Sequence, residues 1–198
     1  MTLFLLVRHG SHDLLGGTLA GRMEGVSLSA AGRAEAERLA GRLLRERPSR
    51  LLTSPVQRCR ETAAILGRRL DLPVEAEPDL IEIDFGAWTG RRFDELSGDP
   101  LWARWNSFRS GARTPGGEGM GQVQLRMVGL LDRLRQDDPD GTVALVGHAD
   151  PLRAALCWAL GMPLDLLLRL EVAPASLSRL ELTEWGPRVL SLNEVGAE

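Results

Sequence analysis

The sequence predicts a three-layer α/β domain, a mostly parallel central sheet with helices on both faces. Three observations predict it. Short apolar runs suited to buried strands alternate along the chain with segments whose apolar spacing is helical. Two of those runs, residues 3–7 and 143–146, lead directly into chemistry-bearing residues, Arg8-His9-Gly10 and Gly147-His148. Strand tips are where open α/β sheets place ligands. At 198 residues the chain can also bury roughly 70% of its unfolded surface, enough for a core without staples.

Composition narrows the function classes. Hydrophobic residues make up 43% of the chain and charged residues 26%, ordinary proportions for a globular protein and unlike disorder. A net charge of −3 and a pI near 5.7 argue against a general nucleic-acid or anionic-membrane surface. All 24 basic residues are arginine, a uniform bias that leaves arginine position informative and arginine number uninformative. Without lysine, a Walker A loop and Schiff-base chemistry are excluded; without tyrosine, so is that acid. The two cysteines, Cys59 and Cys157, form no C-x-x-C pair, which predicts reduced thiols in a cytoplasmic protein. Cys59 adjoins Arg58 yet reads as a buried structural thiol rather than a nucleophile. The N-terminal apolar run is too short for a signal peptide, and nothing approaches the ~20 apolar residues of a membrane helix.

In chain order, residues 3–7 form a parallel strand whose end delivers Arg8, His9 and Gly10. Arg8 offers a planar fork of donors matched to phosphate or carboxylate, His9 can be nucleophile, base or acid, and Gly10 lets the backbone turn away at once. Ser11, His12 and Asp13 lead into a glycine-marked loop over 14–26 that contains Arg22. Ser29 is the N-cap of a helix over 30–47, with Ala36, Leu39, Ala40, Leu43 and Leu44 on one face and Pro48 as its stop. Leu51-Leu52-Thr53 is a short strand. Ser54-Pro55 then reads as N-cap and first-position proline of a helix with Arg58 in its first turn, near the positive end.

Over 77–90, Leu80, Glu82 and Asp84 alternate with Ile81, Ile83 and Phe85, which places both carboxylates on one face if the stretch is extended. Trp102, Trp105 and Phe108 are spaced as one side of a helix. Arg113-Thr114-Pro115-Gly116-Gly117-Glu118 is a turn, with Glu118 opening and capping a helix to about Arg135. After a turn over 137–141, the strand 142–146 ends in Gly147-His148. Asp150 is read as the N-cap and Pro151 as the first residue of a helix through Leu160. Stretches at 167–172, 176–182 and 188–192 read as edge strands of a mixed sheet, and the last few residues as loose. No repeat or linker divides the single domain, 1–198.

Arg8-His9-Gly10, Arg58 after Ser54-Pro55, and Gly147-His148, in that order, resemble the histidine phosphatase superfamily, the phosphoglycerate-mutase-like fold group. Glu82 ahead of Phe85-Gly86-Ala87-Trp88-Thr89-Gly90 is similar to the family stretch in which an acid precedes a hydrophobic-glycine-aromatic-glycine run. Leu28-Ser29 with Gly32 and Ala36, and the 113–118 turn, add to the likeness. The resemblance implies that His9 is a nucleophile forming phosphohistidine, that Arg8, Arg58 and His148 bind the phosphoryl group, and that Glu82, rather than Asp84, is the proton donor. It implies no cofactor and no metal, and a helical cap insertion at about 91–118 that roofs the pocket. The third and sixth positions after the nucleophile, often threonine and asparagine in the family, are His12 and Leu15 here. His12 is then a phosphate donor, a substrate contact or an exposed loop histidine, the last being preferred. Arg22 is either a substrate-binding or a solvated loop arginine. Ala149 stands where many relatives have glycine.

These residue types suit phosphoryl transfer. The transferred dianion carries charge on its peripheral oxygens and needs several fixed donors; a neutral imidazole can attack it, and the departing alkoxide needs a proton. The expected function is a phosphomonoester hydrolase acting through phosphohistidine on a small phosphorylated metabolite. A cofactor-dependent phosphoglycerate mutase is the alternative, disfavoured because such chains are generally longer over the site. A non-catalytic phosphate-ligand-binding module is the third reading. A metal hydrolase lacks H-E-x-x-H spacing, and Arg8 beside His9 would repel a cation. The expected partner is a small phosphomonoester, with no nucleic acid or membrane; a homodimer is compatible with the sequence. The particular substrate is not legible, because the loop after Gly10 and the insertion near Trp102 match no known pattern.

Overall fold

β1 (Thr2–Arg8) comes first in sequence and lies near the middle of the sheet. Residues 1–195 are described by the computed structural model, so the C-terminal residues expected to be loose lie, from 196 on, outside the described residues. β1 pairs in parallel with β4 (Thr142–Gly147), which pairs in parallel with β2 (Arg50–Thr53), and β2 in turn with β3 (Val74–Ala76). On its other side β1 is antiparallel to β5 (Leu177–Thr183), and β5 to β6 (Gly186–Glu194). The six-stranded order is β3-β2-β4-β1-β5-β6.

Alternation along the strands divides the core into two layers. Leu5 and Val7 of β1 and Ala144 and Val146 of β4 pack beneath α1 (Ala30–Glu46) and α2 (Gln57–Leu70). Their neighbours Phe4, Leu6, Val143 and Leu145 face the other way, against α5 (Met120–Asp137) and α6 (Ala149–Ala159). Burial on both faces is why these strands read as unbroken apolar runs. A third cluster of Trp88, Trp105, Leu96 and Ile83 joins α3 (Phe93–Leu96) and α4 (Pro100–Ser107) to Met120 and Val123 of α5.

Register, more than any single contact, creates the site. Val7 pairs with Val146 and Arg8 with Gly147, so β1 and β4 end level and release His9 and His148 side by side. β2 ends at the same height, with Thr53 opposite Val146. Close packing then bends the chain away: a Cβ on Gly10 would stand 2.4 Å from the Gly32 carbonyl oxygen, and one on Gly32 2.0 Å from that of Ser11. Only glycine permits α1 to start so near the strand tip.

Several expectations need correction. Ser29 caps α1, its Oγ accepting from Gly32 N at 3.1 Å, but Ser54 does not cap α2, whose N-cap is Val56. Asp150 is not an N-cap either; that position belongs to His148, and Asp150 lies in the first turn. Glu118 precedes α5, which is capped at Gly119. Residues 81–85 form no strand, because Pro78 and the turns on either side leave the alternating segment without a pairing partner. Much of 167–172, read as a strand, falls in the 3₁₀ helix Leu164–Arg169: its apolar run is leucine without β-branching and follows Pro163, both of which favour a helical turn. β5 is internal, and the short edge strand β3 has no apolar alternation to announce it.

Candidate active site

His9 leaves β1 almost fully buried, and its Nδ1 lies 2.8 Å from the Gly10 carbonyl oxygen. A carbonyl only accepts, so Nδ1 carries the proton and Nε2 keeps its lone pair. That lone pair accepts from Arg58 Nε at 3.1 Å. Burial, then the charges of Arg58 and Arg8, hold the imidazole well below its ordinary pKa, so His9 is neutral at physiological pH.

Arg58 sits in the first turn of α2, 1% exposed, and reaches three groups. Besides His9, its Nη2 donates to the Gly21 carbonyl at 2.7 Å and to His148 Nδ1 at 3.0 Å. His148 is thereby fixed in the opposite tautomer, with Nε2–H donating to Ser54 Oγ at 2.8 Å. The residue expected to cap α2 instead orients this imidazole. Burial and the nearby Arg58 keep His148 neutral as well. The two rings stand 5.2 Å apart, edge to face. One guanidinium thus holds the free nitrogens of both, which is the arrangement of an anion site and not of a cation site. Among the described residues, no group of three or more His, Cys, Asp or Glu side chains is disposed to hold a metal ion. Cys59 packs under His148, Sγ to Nε2 3.3 Å, and burial pushes its thiol pKa up, consistent with an inert structural thiol.

Glu82 enters from the opposite side. Its Oε1 accepts from Ile83 N at 2.9 Å, and its Oε2 lies 3.7 Å from His148 Nδ1, adjacent without a hydrogen bond. Burial first, and then the charge of Asp150, raise its pKa to about 7, against the lowering pull of Arg58 and Arg8. Asp150 itself accepts from Arg109 Nη1 at 2.9 Å and Arg153 Nη1 at 3.3 Å. Burial works to raise it, yet the two guanidiniums hold it below the usual carboxylate range. The two neighbouring acids are thus set apart in charge, Asp150 ionised and Glu82 poised to hold a proton. Arg8 completes the floor, one nitrogen donating to the Val172 carbonyl at 2.7 Å.

These groups line a cavity of about 280 Å³. The structure brings Arg8, His9, Arg58 and Glu82 to its wall and places His148 directly behind, between Arg58 and Glu82. His12, preferred as an exposed loop residue, is 7% exposed and lines the cavity, its ring 5.5 Å from that of His9. Burial and the two arginines lower its pKa to about 4. Arg22 does not join the cavity; its guanidinium bonds the Glu82 carbonyl and the Glu118 carboxylate, so neither the substrate-binding nor the solvated reading describes it. Asp84 also faces away, within 3.6 Å of Arg22. Sequence reasoning missed Arg109 and Arg153, and took Asp150 for a cap. In a chain whose cations are all arginine, nothing marks those two, and only their convergence on Asp150 reveals them.

Comparison with known proteins identifies the family. The model for the histidine phosphatase superfamily (branch 1) matches residues 4–195. Phosphoserine phosphatase 1 of Hydrogenobacter thermophilus is 31% identical, over 98% of this chain and 92% of its own. The bifunctional protein Rv2228c of Mycobacterium tuberculosis is 34% identical over 98% of this chain, which spans only 54% of that longer protein. Among solved structures, a mycobacterial glucosyl-3-phosphoglycerate phosphatase superposes with a TM-score of 0.87 at 25% identity, covering 96% of this chain and 98% of its own. The mixed six-stranded sheet, the two strand-tip histidines and the match across nearly all of its length place this chain in the histidine phosphatase superfamily.

Proposed function

We propose that this chain hydrolyses small phosphomonoesters through a phosphohistidine on His9. One observation carries the reading: a neutral imidazole, its tautomer fixed by Gly10, turns its lone pair to the buried Arg58 guanidinium, whose Nη1 has no hydrogen-bond partner. In the first step Arg58 Nε exchanges His9 Nε2 for a phosphoryl oxygen, and the freed lone pair forms the N–P bond as the P–O bond to the leaving alcohol breaks. Arg8 and Arg58 stabilise the peripheral oxygens, His148 behind them holds Arg58 in place with its own N–H given to Ser54, and Glu82 gives its proton to the departing oxygen. In the second, a water forms the new P–O bond as N–P breaks; the Glu82 carboxylate takes its proton, and inorganic phosphate leaves. Burial and the charge of Asp150 prepare Glu82 for the first step, and a bound dianion favours its proton further. His12, at the cavity wall, adds a neutral donor to the phosphoryl oxygens. The segment 91–118, through Trp102, Asn106 and Arg109, roofs the alcohol end of the cavity. Two free, buried cysteines suit a cytoplasmic setting.

Rapid quench with an aryl phosphate tests the reading. The expected product is a phosphoenzyme labile to acid and stable to base, absent from His9→Ala and formed equally well in EDTA. An acid-stable phosphoserine would remove His9 from the role. Release of inorganic phosphate from phosphoglycerates, without their interconversion when bisphosphoglycerate is added, separates hydrolase from mutase.

A further inference from the structure

Glu82 reaches the cavity from a stretch of chain that no ladder holds. Residues 81–85 lie between the 3₁₀ turns Pro78–Leu80 and Gly86–Trp88 and pair with no strand, so other groups must fix the height of this backbone. Two side chains distant in sequence do so. Arg22 Nε donates to the Glu82 carbonyl at 2.7 Å, and Glu118 Oε2 accepts from Asp84 N at 2.9 Å. The two holds are one device, because Arg22 Nη2 donates to that same Glu118 oxygen at 2.8 Å. The Asp84 carbonyl is tied from the same side by Thr114 Oγ1 at 2.7 Å and by Glu118 N at 2.9 Å. Contact is backbone to backbone here: a Cβ on Gly117 would stand 2.2 Å from the Asp84 carbonyl oxygen, and one on Gly86, at φ +53°, 2.0 Å from that of Pro115.

Neither Arg22 nor Glu118 lines the cavity. Both bear on the residue whose carboxyl must sit within hydrogen-bond reach of the leaving oxygen, and misplacement by about 1 Å can cost ~10²-fold. We propose that Arg22 and Glu118 are positioning residues, a charged clasp that sets Glu82 over the phosphoryl site and so governs proton delivery to the leaving group. The inference rests on Glu82 being the acid. It gives the 113–118 turn a task other than capping α5.

Proton delivery matters in proportion to how poor the leaving group is, so the test reads the rate of phosphoenzyme formation across phosphate esters of alcohols of graded acidity. Phosphoenzyme yield from nitrophenyl phosphate counts the competent molecules and normalises every variant, so partial misfolding drops out. For alkyl esters, Arg22→Met and Glu118→Gln are expected to slow formation about tenfold, part of the roughly 10²- to 10⁴-fold that a general acid provides. For nitrophenyl phosphate they should stay within about twofold, since that leaving group needs no proton. Arg22→Lys, which keeps one donor, should fall between. The double variant should be no worse than either single, because one clasp is opened once. Glu82→Gln sets the limit of the leaving-group dependence. If Glu82→Gln shows no added sensitivity, Glu82 is not the acid and the clasp falls with it. If Glu82→Gln is sensitive while Arg22→Met and Glu118→Gln slow all esters alike, or none, the positioning role alone is overturned.

Discussion

The two halves of the candidate site are held by different physics. His9 and His148 follow adjacent strands whose register is set residue by residue, from Leu3 opposite Thr142 to Arg8 opposite Gly147. Arg58 lies one turn into a helix packed on the same strands. Glu82, Arg109 and Trp102 instead sit on irregular backbone or short helices, and the first two are fixed by side chains that reach across 34 to 60 residues of sequence. A slip of one residue in β1 would exchange its side chains between the two core layers and carry His9 away from His148, so the strand half cannot change without loss of the fold. The other half can be repacked at modest cost, and its separation from the phosphoryl floor lets one catalytic centre serve different alcohols.

The sharpest way to break this comparison is to strike the strand half with a substrate that needs no acid. Arg58→Ala, assayed on nitrophenyl phosphate, removes the donor that both imidazoles share. Single donors of this kind are worth about 10²- to 10³-fold, and a guanidinium that also orients two rings should exceed the upper figure in kcat/KM. Loss below tenfold, in a variant whose melt shows an intact fold, would mean that the strand tips do not hold the phosphoryl group.

The same division governs what the sequence discloses. Arg8-His9 and Gly147-His148 are legible because each follows a short unbroken apolar run that includes β-branched valine, the pattern of a strand buried on both faces. Arg58 is legible from its place after a strand and a proline. Glu82 emerges from similarity of position, but the mechanism of its placement does not, since an alternating pattern with no partner strand looks like a strand on paper. His12 looks exposed because its neighbours are polar; its burial comes from the loop folding back over the cavity. Asp150 matches a cap by type and by the following Pro151, and only the approach of Arg109, 41 residues earlier in the chain, shows it as a buried ion pair instead. Long-range pairings between loops leave no periodicity to read.

Asp150 offers a finer test, because it lies between the halves, on α6 just past His148 but paired to the cap-side Arg109. Glu82 must be protonated to act as acid, and with its pKa at about 7, phosphoenzyme formation from alkyl esters should fall as pH rises through neutrality. His9, far below its ordinary pKa, puts no limb near that range. The negative charge of Asp150 is one of the two causes that raise Glu82, so Asp150→Asn lowers it, and the unpaired Arg109 and Arg153 pull in the same direction. The alkaline limb should therefore move to lower pH, for alkyl esters and not for nitrophenyl phosphate. Leaving the buried Arg109 guanidinium without its carboxylate, and the half-buried Arg153 beside it, should also cost about 3–5 kcal/mol in a denaturant melt. A limb that stays in place would show that burial alone sets the proton on Glu82.

The smallest effect is expected from the roof. Trp102 lines the cavity and meets Trp88 edge to face, ring centres 5.2 Å apart at 90°, with the Phe93 ring centre 6.2 Å away. It touches neither His9 nor Arg58, so its part in the reaction is to shape the space for the alcohol. Aromatic pairs of this kind contribute about 0.5–1.5 kcal/mol beyond the area they bury, and Trp102→Ala should lower stability by that much plus the lost burial. In the assay it should raise KM several-fold for bulky esters and leave kcat for a small one within about twofold, which is loss of binding common to ground and transition states. A fall in kcat for all esters, on the scale set by Arg58→Ala, would join the roof to the chemistry. The two halves would then be one rigid machine, and the freedom to exchange substrates by repacking the cap would not exist.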